Sequence, residues 1–450
     1  MWHDLDVPTR RPVFASILLV GLIACDVEDT RFSGGDAGAT DANRDASVQA
    51  CEGATTCVDP PPSACADAMT RRDYAGPGTC PAGVCEYPYQ DVPCEHGCRD
   101  GACVAPLLDQ LEPGFSTTCA LLRTGAVKCW GAGGQVGDGT TEPRTSPVGV
   151  LGLDAGVTSI AVGSNHTCAT TTGGTVRCWG SNFFGQLGNG TRVDEPAPVT
   201  TTGVGPASRV FAGNQYGCAL GTMGGIVSCW GNNAGGQIGN GLQSNIEPPT
   251  VVAGLGPVVT LATGYDFVCA VVSGGAVQCW GNNTQGQLGG GGPLVVASPP
   301  VEVAGLDLAV GLAAGNTHAC AITSLGGVLC WGDNTMGQLG NGSGMSSSIP
   351  VPVAGFGATV LAISAGAYHT CALTDLSEVF CWGLGESGAL GQGTLASSPT
   401  PTRVLASGFG RLAAGGRTTC SVTPTGGARC WGLLHGNGAD SSTPVEVLGL

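Results

Sequence analysis

Lysine is almost absent from this chain: Lys128 is the only one in 450 residues. Lysine and arginine together number 17 against 33 acidic residues, and charged residues of every kind make up 11% of the chain. Nucleic-acid binding draws most of its affinity from cations that neutralise phosphates. From 105 to 450 there are 10 basic and 17 acidic side chains, with no basic one between Arg209 and Arg403, so no nucleic-acid partner is expected. Long apolar runs are also scarce. The one of note, 13–24, is broken by Ser16 and Gly21 and is too short to span a bilayer as a mature helix. What abounds is glycine, at 78 residues, and cysteine, at 23. A glycine-rich, weakly charged chain fits many short strands joined by tight turns. Even numbers of regularly spaced cysteines imply an oxidising compartment.

Arg10-Arg11 precede the apolar run, which has the length of a signal-peptide core. It ends Leu22-Ile23-Ala24-Cys25. That ending resembles the bacterial lipobox, where small residues precede a cysteine that is lipidated and becomes the new N-terminus. The resemblance implies a lipoprotein signal peptide over 1–24 and a lipid anchor at Cys25. The protein is then expected in the bacterial envelope, at the outer membrane or cell surface. A conventional signal peptide with a spare cysteine is the competing reading. Residues 25–50 are rich in Asp, Gly, Ala and Ser. They bury too little apolar surface to offset their ordering entropy and read as a disordered acidic tether.

Cys51, Cys57, Cys65, Cys80, Cys85, Cys94, Cys98 and Cys103 follow within 53 residues that hold few large apolar side chains. Disulfides must supply what a core cannot, so 51–103 reads as a small disulfide-rich module whose connectivity the sequence does not choose. Cys94-Glu95-His96-Gly97-Cys98 prompts a zinc reading. Thiolate metal sites suit reducing compartments, so no metal is expected here.

From 105 onward one unit repeats seven times. Its anchor is Cys-Trp-Gly, with Trp130, Trp179, Trp230, Trp280, Trp331, Trp382 and Trp431 spaced 49, 51, 50, 51, 51 and 49 residues apart. Such a fixed period outranks any local motif. In one unit, 147–153, 159–163, 166–170 and 175–180 read as four short strands, followed by a turn through Asn182, Gly185-Gln186-Leu187-Gly188 and Gly190. Four strands per unit make the blade of a propeller, so 105–450 is expected to be an all-β, seven-bladed β-propeller.

The repeat resembles the regulator of chromosome condensation repeat family. Gly231-Asn232-Asn233 with Gly236-Gln237-Ile238-Gly239, Gly281-Asn282-Asn283 with Gly286-Gln287-Leu288-Gly289, and Gly332-Asp333-Asn334 with Gly337-Gln338-Leu339-Gly340 carry the likeness. It implies a seven-bladed propeller. The last copy departs, with Leu433-Leu434-His435 after Trp431-Gly432. The eukaryotic namesake activates a small GTPase on chromatin. No small-GTPase partner is expected here, because the chain lacks a basic tail and an inserted wedge and carries an export signal.

Two features suggest how the ring is held. Cys119/Cys129, Cys168/Cys178, Cys218/Cys229, Cys269/Cys279, Cys320/Cys330, Cys371/Cys381 and Cys420/Cys430 are each ten or eleven residues apart across a hairpin turn, within disulfide reach. Each pair is expected to staple the two strands of its own hairpin, at the roughly 4.5–5.5 Å Cα separation of opposed residues. The strand motif Pro147-Val148-Gly149-Val150 lacks a counterpart before Trp130 but recurs as Pro444-Val445-Glu446-Val447. The C-terminal strand is therefore expected to pair into the first blade and seal the ring.

No catalytic site is evident. His166, His318 and His369 share one repeat position that other copies fill with Thr117, Tyr216, Phe267 and Thr418, so a structural role is expected. One tryptophan per unit reads as packing, and no acid pair suits glycoside chemistry. The expectation is a cell-surface binding propeller without enzymatic activity or cofactor. Its partner, an unknown extracellular protein or polysaccharide, would meet the loops 140–146, 191–195, 242–247, 292–298, 343–349 and 394–398. An enzyme acting on extracellular polysaccharide or peptidoglycan is the alternative.

Overall fold

The computed structural model describes residues 108–450 apart from 307, 354, 424–425 and 434–439, together with short stretches between 56 and 103. The chain divides into two units, one of residues 1–62 and 73–90, the other of residues 63–72 and 91–450. In the first, Thr56–Cys57 pairs antiparallel with Gly78–Thr79. In the second, Cys98–Arg99 pairs with Ala102–Cys103, which sets Cys98 opposite Cys103. The signal and tether segments with Cys25, and Cys51, Cys80, Cys85 and Cys94, lie outside the described residues.

From Leu108 onward the second unit is seven antiparallel sheets of four strands each. Blade one consists of Leu108–Pro113, Thr117–Leu122, Val127–Gly131 and Arg144–Gly149, paired in chain order. Blades two to seven follow at 157–200, 207–251, 258–302, 309–352, 360–403 and 412–446. The third strand of each blade carries Cys-Trp-Gly. Its glycine sits at a β-bulge against the outer strand, with φ between 97° and 121° in all seven copies, where a side chain would be strained.

The seven-bladed architecture is as expected, but its phase is not. The Pro-Val strand is the outermost strand of the preceding blade, where the missing N–H of Pro147 or Pro444 costs no ladder bond to a further strand. It begins before the proline, at Arg144 in blade one, and ends at Gly149. The C-terminal strand Ser441–Glu446 accordingly pairs with Ala428–Gly432 of its own blade and not with the first. Blade one needs no donated strand, because Leu108–Pro113 is its inner strand. That segment, Leu-Asp-Gln-Leu-Glu-Pro, differs too much from its counterparts to be recognised by pattern.

All seven cysteine pairs of the propeller are bonded, with no thiol left in the seams: Cys119–Cys129, Cys168–Cys178, Cys218–Cys229, Cys269–Cys279, Cys320–Cys330, Cys371–Cys381 and Cys420–Cys430. The staples are those expected, with two details added. The Cα atoms lie 4.0–4.1 Å apart, closer than the separation expected of opposed strand residues. The second cysteine of each pair is also more than a hairpin partner. Cys178, Cys229 and Cys330 adjoin the bulge where their strand slips against the outer one, and each is fully buried against the next blade.

Packing between neighbours therefore closes the ring in place of a donated strand. Each buried cluster unites the disulfide of one blade with the tryptophan of the next. Cys119 and Cys129 pack with Trp179, Cys168 and Cys178 with Trp230, and Cys218 and Cys229 with Trp280. Cys269 and Cys279 pack with Trp331, Cys320 and Cys330 with Trp382, and Cys371 and Cys381 with Trp431. The series returns to its start: Cys420 and Cys430 of blade seven share a cluster with Leu108, Leu111 and Trp130 of blade one. Val447 and Leu450, just past the last strand, pack on that same cluster. The Lys128 ammonium donates to the Gly449 carbonyl at 3.1 Å.

Candidate functional site

Most of the repeat motif is consumed in joining blades. The indole N–H of Trp179 donates to the carbonyl of Gln135 in the preceding blade at 2.8 Å, and Trp230, Trp280, Trp331 and Trp382 do likewise to Gln186, Gln237, Gln287 and Gln338 at 2.9 Å. Trp431 meets Ala389 where the others meet glutamine, and its indole N–H has no partner. For Trp130 the equivalent turn lies outside the described residues. The cysteines share in these seams but offer no chemistry, since every one from Cys119 to Cys430 is oxidised and buried; the Thr201 hydroxyl at 3.4 Å from Cys178 Sγ donates instead to the Leu187 carbonyl at 2.9 Å.

The histidines belong to the same seams. His318 Nε2 lies 2.9 Å from the Thr370 hydroxyl of the next blade, and that hydroxyl donates to the Gln338 carbonyl at 3.0 Å. The hydroxyl must therefore accept from His318, which fixes the proton on Nε2. His369, Thr419 and the Ala389 carbonyl form the same chain at 2.8 and 3.0 Å. Burial holds His166 and His318 down at about 4 and His369, which also faces His318, at about 3. Blade three carries Gly217 at the position where the other two histidines find threonine, so His166 lacks a hydroxyl partner, and only the Tyr216 backbone opposes the effect of burial on its ring. The glycine three residues earlier makes room for each ring. A Cβ on Gly366 would come within 2.1 Å of His369, and one on Gly264 within 2.1 Å of Phe267. Among the described residues, no three His, Cys, Asp or Glu side chains converge to hold a metal.

The turn after Cys-Trp-Gly is pinned from inside. Asn233 accepts from the Ile238 N–H at 3.0 Å and donates to the Leu242 carbonyl at 3.1 Å. Asn334 accepts from Leu339 and donates to the carbonyls of Ser343 and Met345 at 2.7 and 3.1 Å, and Asn283 reaches Pro293 at 2.8 Å. Beyond each pin an apolar side chain faces solvent: Leu242, Leu294 and Val295, Met345, and in neighbouring copies Val193 and Leu395. These tips lie within the expected loops, although residues such as Arg144 and Ser347 prove to be strand. Because strands alternate in direction, these loops lie at the same end of the ring as the turns joining first to second strands. The hairpins bearing Leu325 and Leu376 lie at the other end.

Two cavities lie along the inner strands. One of about 350 Å³ is lined by all seven blades, and one of about 480 Å³ opens toward the hairpin end. Gln110, Glu112 and Arg209 line both. None was singled out from the sequence, since only the blade order shows that their strands are innermost. Burial pushes the Glu112 carboxyl up to about 7, against a hydrogen bond from Gln110 and the charge of Arg209.

This is a β-propeller of seven disulfide-stapled blades, fastened by tryptophan–carbonyl bonds and presenting two loop-bearing ends around a central channel. The profile described as the regulator of chromosome condensation (RCC1) repeat matches residues 124–170, 173–220, 225–271, 274–322, 326–373 and 377–422, more than half of the chain, and the chain belongs to that family. These matches run from the hairpin of one blade to the second strand of the next, so the sequence repeat straddles the structural one.

Among curated proteins, the chain is 30% identical over 190 residues to the ultraviolet-B receptor UVR8 of Arabidopsis thaliana, covering 41% of this chain and 43% of the receptor. It is 29% identical over 299 residues to the human E3 ubiquitin-protein ligase HERC2, covering 63% of this chain and 6% of the ligase. The chain thus spans less than half the length of either. Among solved structures, human WBSCR16 (23% identity, TM-score 0.62) covers 69% of this chain and 87% of its own. Yeast Prp20p from Saccharomyces cerevisiae (22%, TM-score 0.62) covers 77% and 87%. At such identities the likeness is one of fold.

These comparisons correct the expected partners. Prp20p is described with its binding properties to Gsp1p and histones, and another structure shows yeast RCC1 (Prp20) bound to Kap60. With a propeller of this fold described as binding Gsp1p and histones, neither the exclusion of nucleic acid and of a small GTPase nor the restriction to an extracellular protein or polysaccharide stands. The physical reason is that a fold does not fix the class of partner its surface meets. A count of cations bears only on phosphate neutralisation.

Proposed function

We propose that the chain is an exported interaction scaffold that binds a protein partner through the loops following Cys-Trp-Gly. One observation carries this reading. Buried asparagines hold the loop backbones at Leu242, Pro293 and Met345 while apolar side chains at and beside those positions face water. Rigid loops lose little entropy on binding, and exposed apolar tips supply the area a protein partner buries. The described binding of Prp20p to Gsp1p and histones, and of Prp20 to Kap60, supports a protein-binding role. Seven disulfides favour an oxidising compartment, in keeping with export and a lipid at Cys25.

The test is a pull-down with residues 105–450, repeated after replacing 242–247, 292–298 and 343–349 with the corresponding segment of another blade. Loss of a recovered interaction on loop replacement is expected. An interaction that survives all three replacements places the binding face elsewhere. Mass spectrometry of the N-terminal peptide tests the lipid, which Cys25→Ala should abolish.

A further inference from the structure

The channel departs from the regularity of the ring on one side only. At the innermost position opposite the first cysteine of each blade stand Ala161, Ala262, Ala313, Ser364 and Ala413, but Glu112 in blade one and Phe211 in blade three. Two residues earlier Gln110 and Arg209 replace the small residues of blades two, four, five and six. Long polar side chains are thereby gathered on one wall, facing a wall of small ones.

Each is set in a defined way. The Gln110 amide pairs with the backbone of blade two, donating to the Ile160 carbonyl and accepting from its N–H, both at 3.0 Å, and also donates to Glu112 at 2.8 Å. The Arg209 guanidinium lies 5.5 Å from the centre of the Phe211 ring. It has no ion pair among the described residues. Arg411, the other cation at this mouth, is taken by Asp109 at 2.8 Å. The uncommitted cation beside the cavity is thus Arg209, with Glu112 near it but not in an ion pair.

We propose that the central channel binds a small monocarboxylate, whose carboxylate pairs with Arg209 beside Glu112 and whose apolar body lies against Ala262 and Ala313. A guanidinium offers paired donors that match a carboxylate. The cavity of about 350 Å³ admits a compact body, and Ala262 and Ala313 are among the residues that line it. A dianion such as sulfate would face both Glu112 and Asp109, whereas a single charge is matched by Arg209 once Glu112 holds a proton. Above about pH 7, where Glu112 is ionised in the free protein, binding should therefore take up a proton from solvent. The charged groups around that carboxyl are Asp109 on its own strand, Arg209 from blade three and Arg411 from blade seven. The inner strands of blades two, four, five and six bring no ionisable group to it.

The site is independent of the loops, so it stands or falls apart from the partner-binding face. Calorimetric titration of the full oxidised chain with benzoate tests it. Binding of one benzoate per chain is expected at pH 6, weakening about tenfold by pH 8 as a carboxyl with a pKa of about 7 ionises. Glu112→Gln should keep binding and lose the pH dependence, and Arg209→Ala should lose binding while melting like the wild type. No binding to the wild type at pH 6, equal binding to Arg209→Ala, or sulfate binding as tightly as benzoate would each overturn the proposal.

Discussion

Trp382, in blade six, and Gln338, in blade five, are joined by an indole N–H donating to a backbone carbonyl at 2.9 Å. The Thr370 hydroxyl donates to the same oxygen at 3.0 Å. The period of about fifty residues is thus the spacing of fasteners between blades, and the tryptophans are structural because each reaches across a seam.

That role predicts unequal costs for one substitution. Trp382→Phe removes a buried hydrogen bond, whereas Trp431→Phe removes an indole N–H that has no partner. Both leave a similar void. Urea unfolding should show Trp382→Phe to be the more destabilising by about 1 kcal/mol. Equal costs would remove the tryptophan–carbonyl bond from the account.

The buried histidines make the ring acid-sensitive. Their folded pKa values, about 4 for His166 and His318 and about 3 for His369, lie below the ordinary 6.5. The unfolded chain therefore binds more protons between those limits, and stability is lost as pH falls from about 6.5 through 4. His166→Phe places at that site the residue blade four uses, Phe267, and removes two buried nitrogens that have no side-chain partner. Melting curves at pH 7 and pH 4.5 should show the variant more stable at both, with the larger gain in acid.

The corrected closure makes a narrower prediction than a donated strand would. Removing residues 447–450 leaves the strand Ser441–Glu446 intact but strips Val447 and Leu450 from the seam with blade one. A cost of roughly 2 kcal/mol and a melting temperature lower by a few degrees are expected. An unchanged melting temperature would show that the tail takes no part in closing the ring.

The disulfides should hold individual blades. Replacing Cys269 and Cys279 together by alanine opens a short loop and is expected to cost about 2–3 kcal/mol by the chain-entropy estimate. Thiol titration of the denatured, unreduced propeller should find none of its fourteen cysteines free, and a full complement of free thiols would contradict both the staples and the oxidising compartment.

Much of this was legible because the repeat writes the same physics seven times. Trp130 to Trp431 set the blade count, and paired cysteines at hairpin spacing announced their bonds. That Cys178, Cys229 and Cys330 also pack under the next blade's tryptophan was hidden, since hairpin spacing says nothing of the neighbour across the seam. Phase was not legible either, because a period alone does not say which strand is innermost. The unit beginning at Pro147 therefore straddles two blades, and Leu108–Pro113 went unrecognised. The same blindness hid Glu112 and Arg209, which become channel residues only once their strands are known to line it. The loop tips were found because they vary between copies. Their pinning by Asn233, Asn283 and Asn334 needed coordinates.

The pinned loops, and not the opposite hairpins, are the face proposed to meet a partner. Site-specific photo-crosslinking reads this most directly, with the reactive residue placed at Leu242, Leu294 or Met345 in the loops and at Leu325 or Leu376 on the hairpins. The same crosslinked partner should be recovered from all three loop positions and from neither hairpin. Crosslinking from Leu325 and Leu376 with silence from the loops would contradict the account.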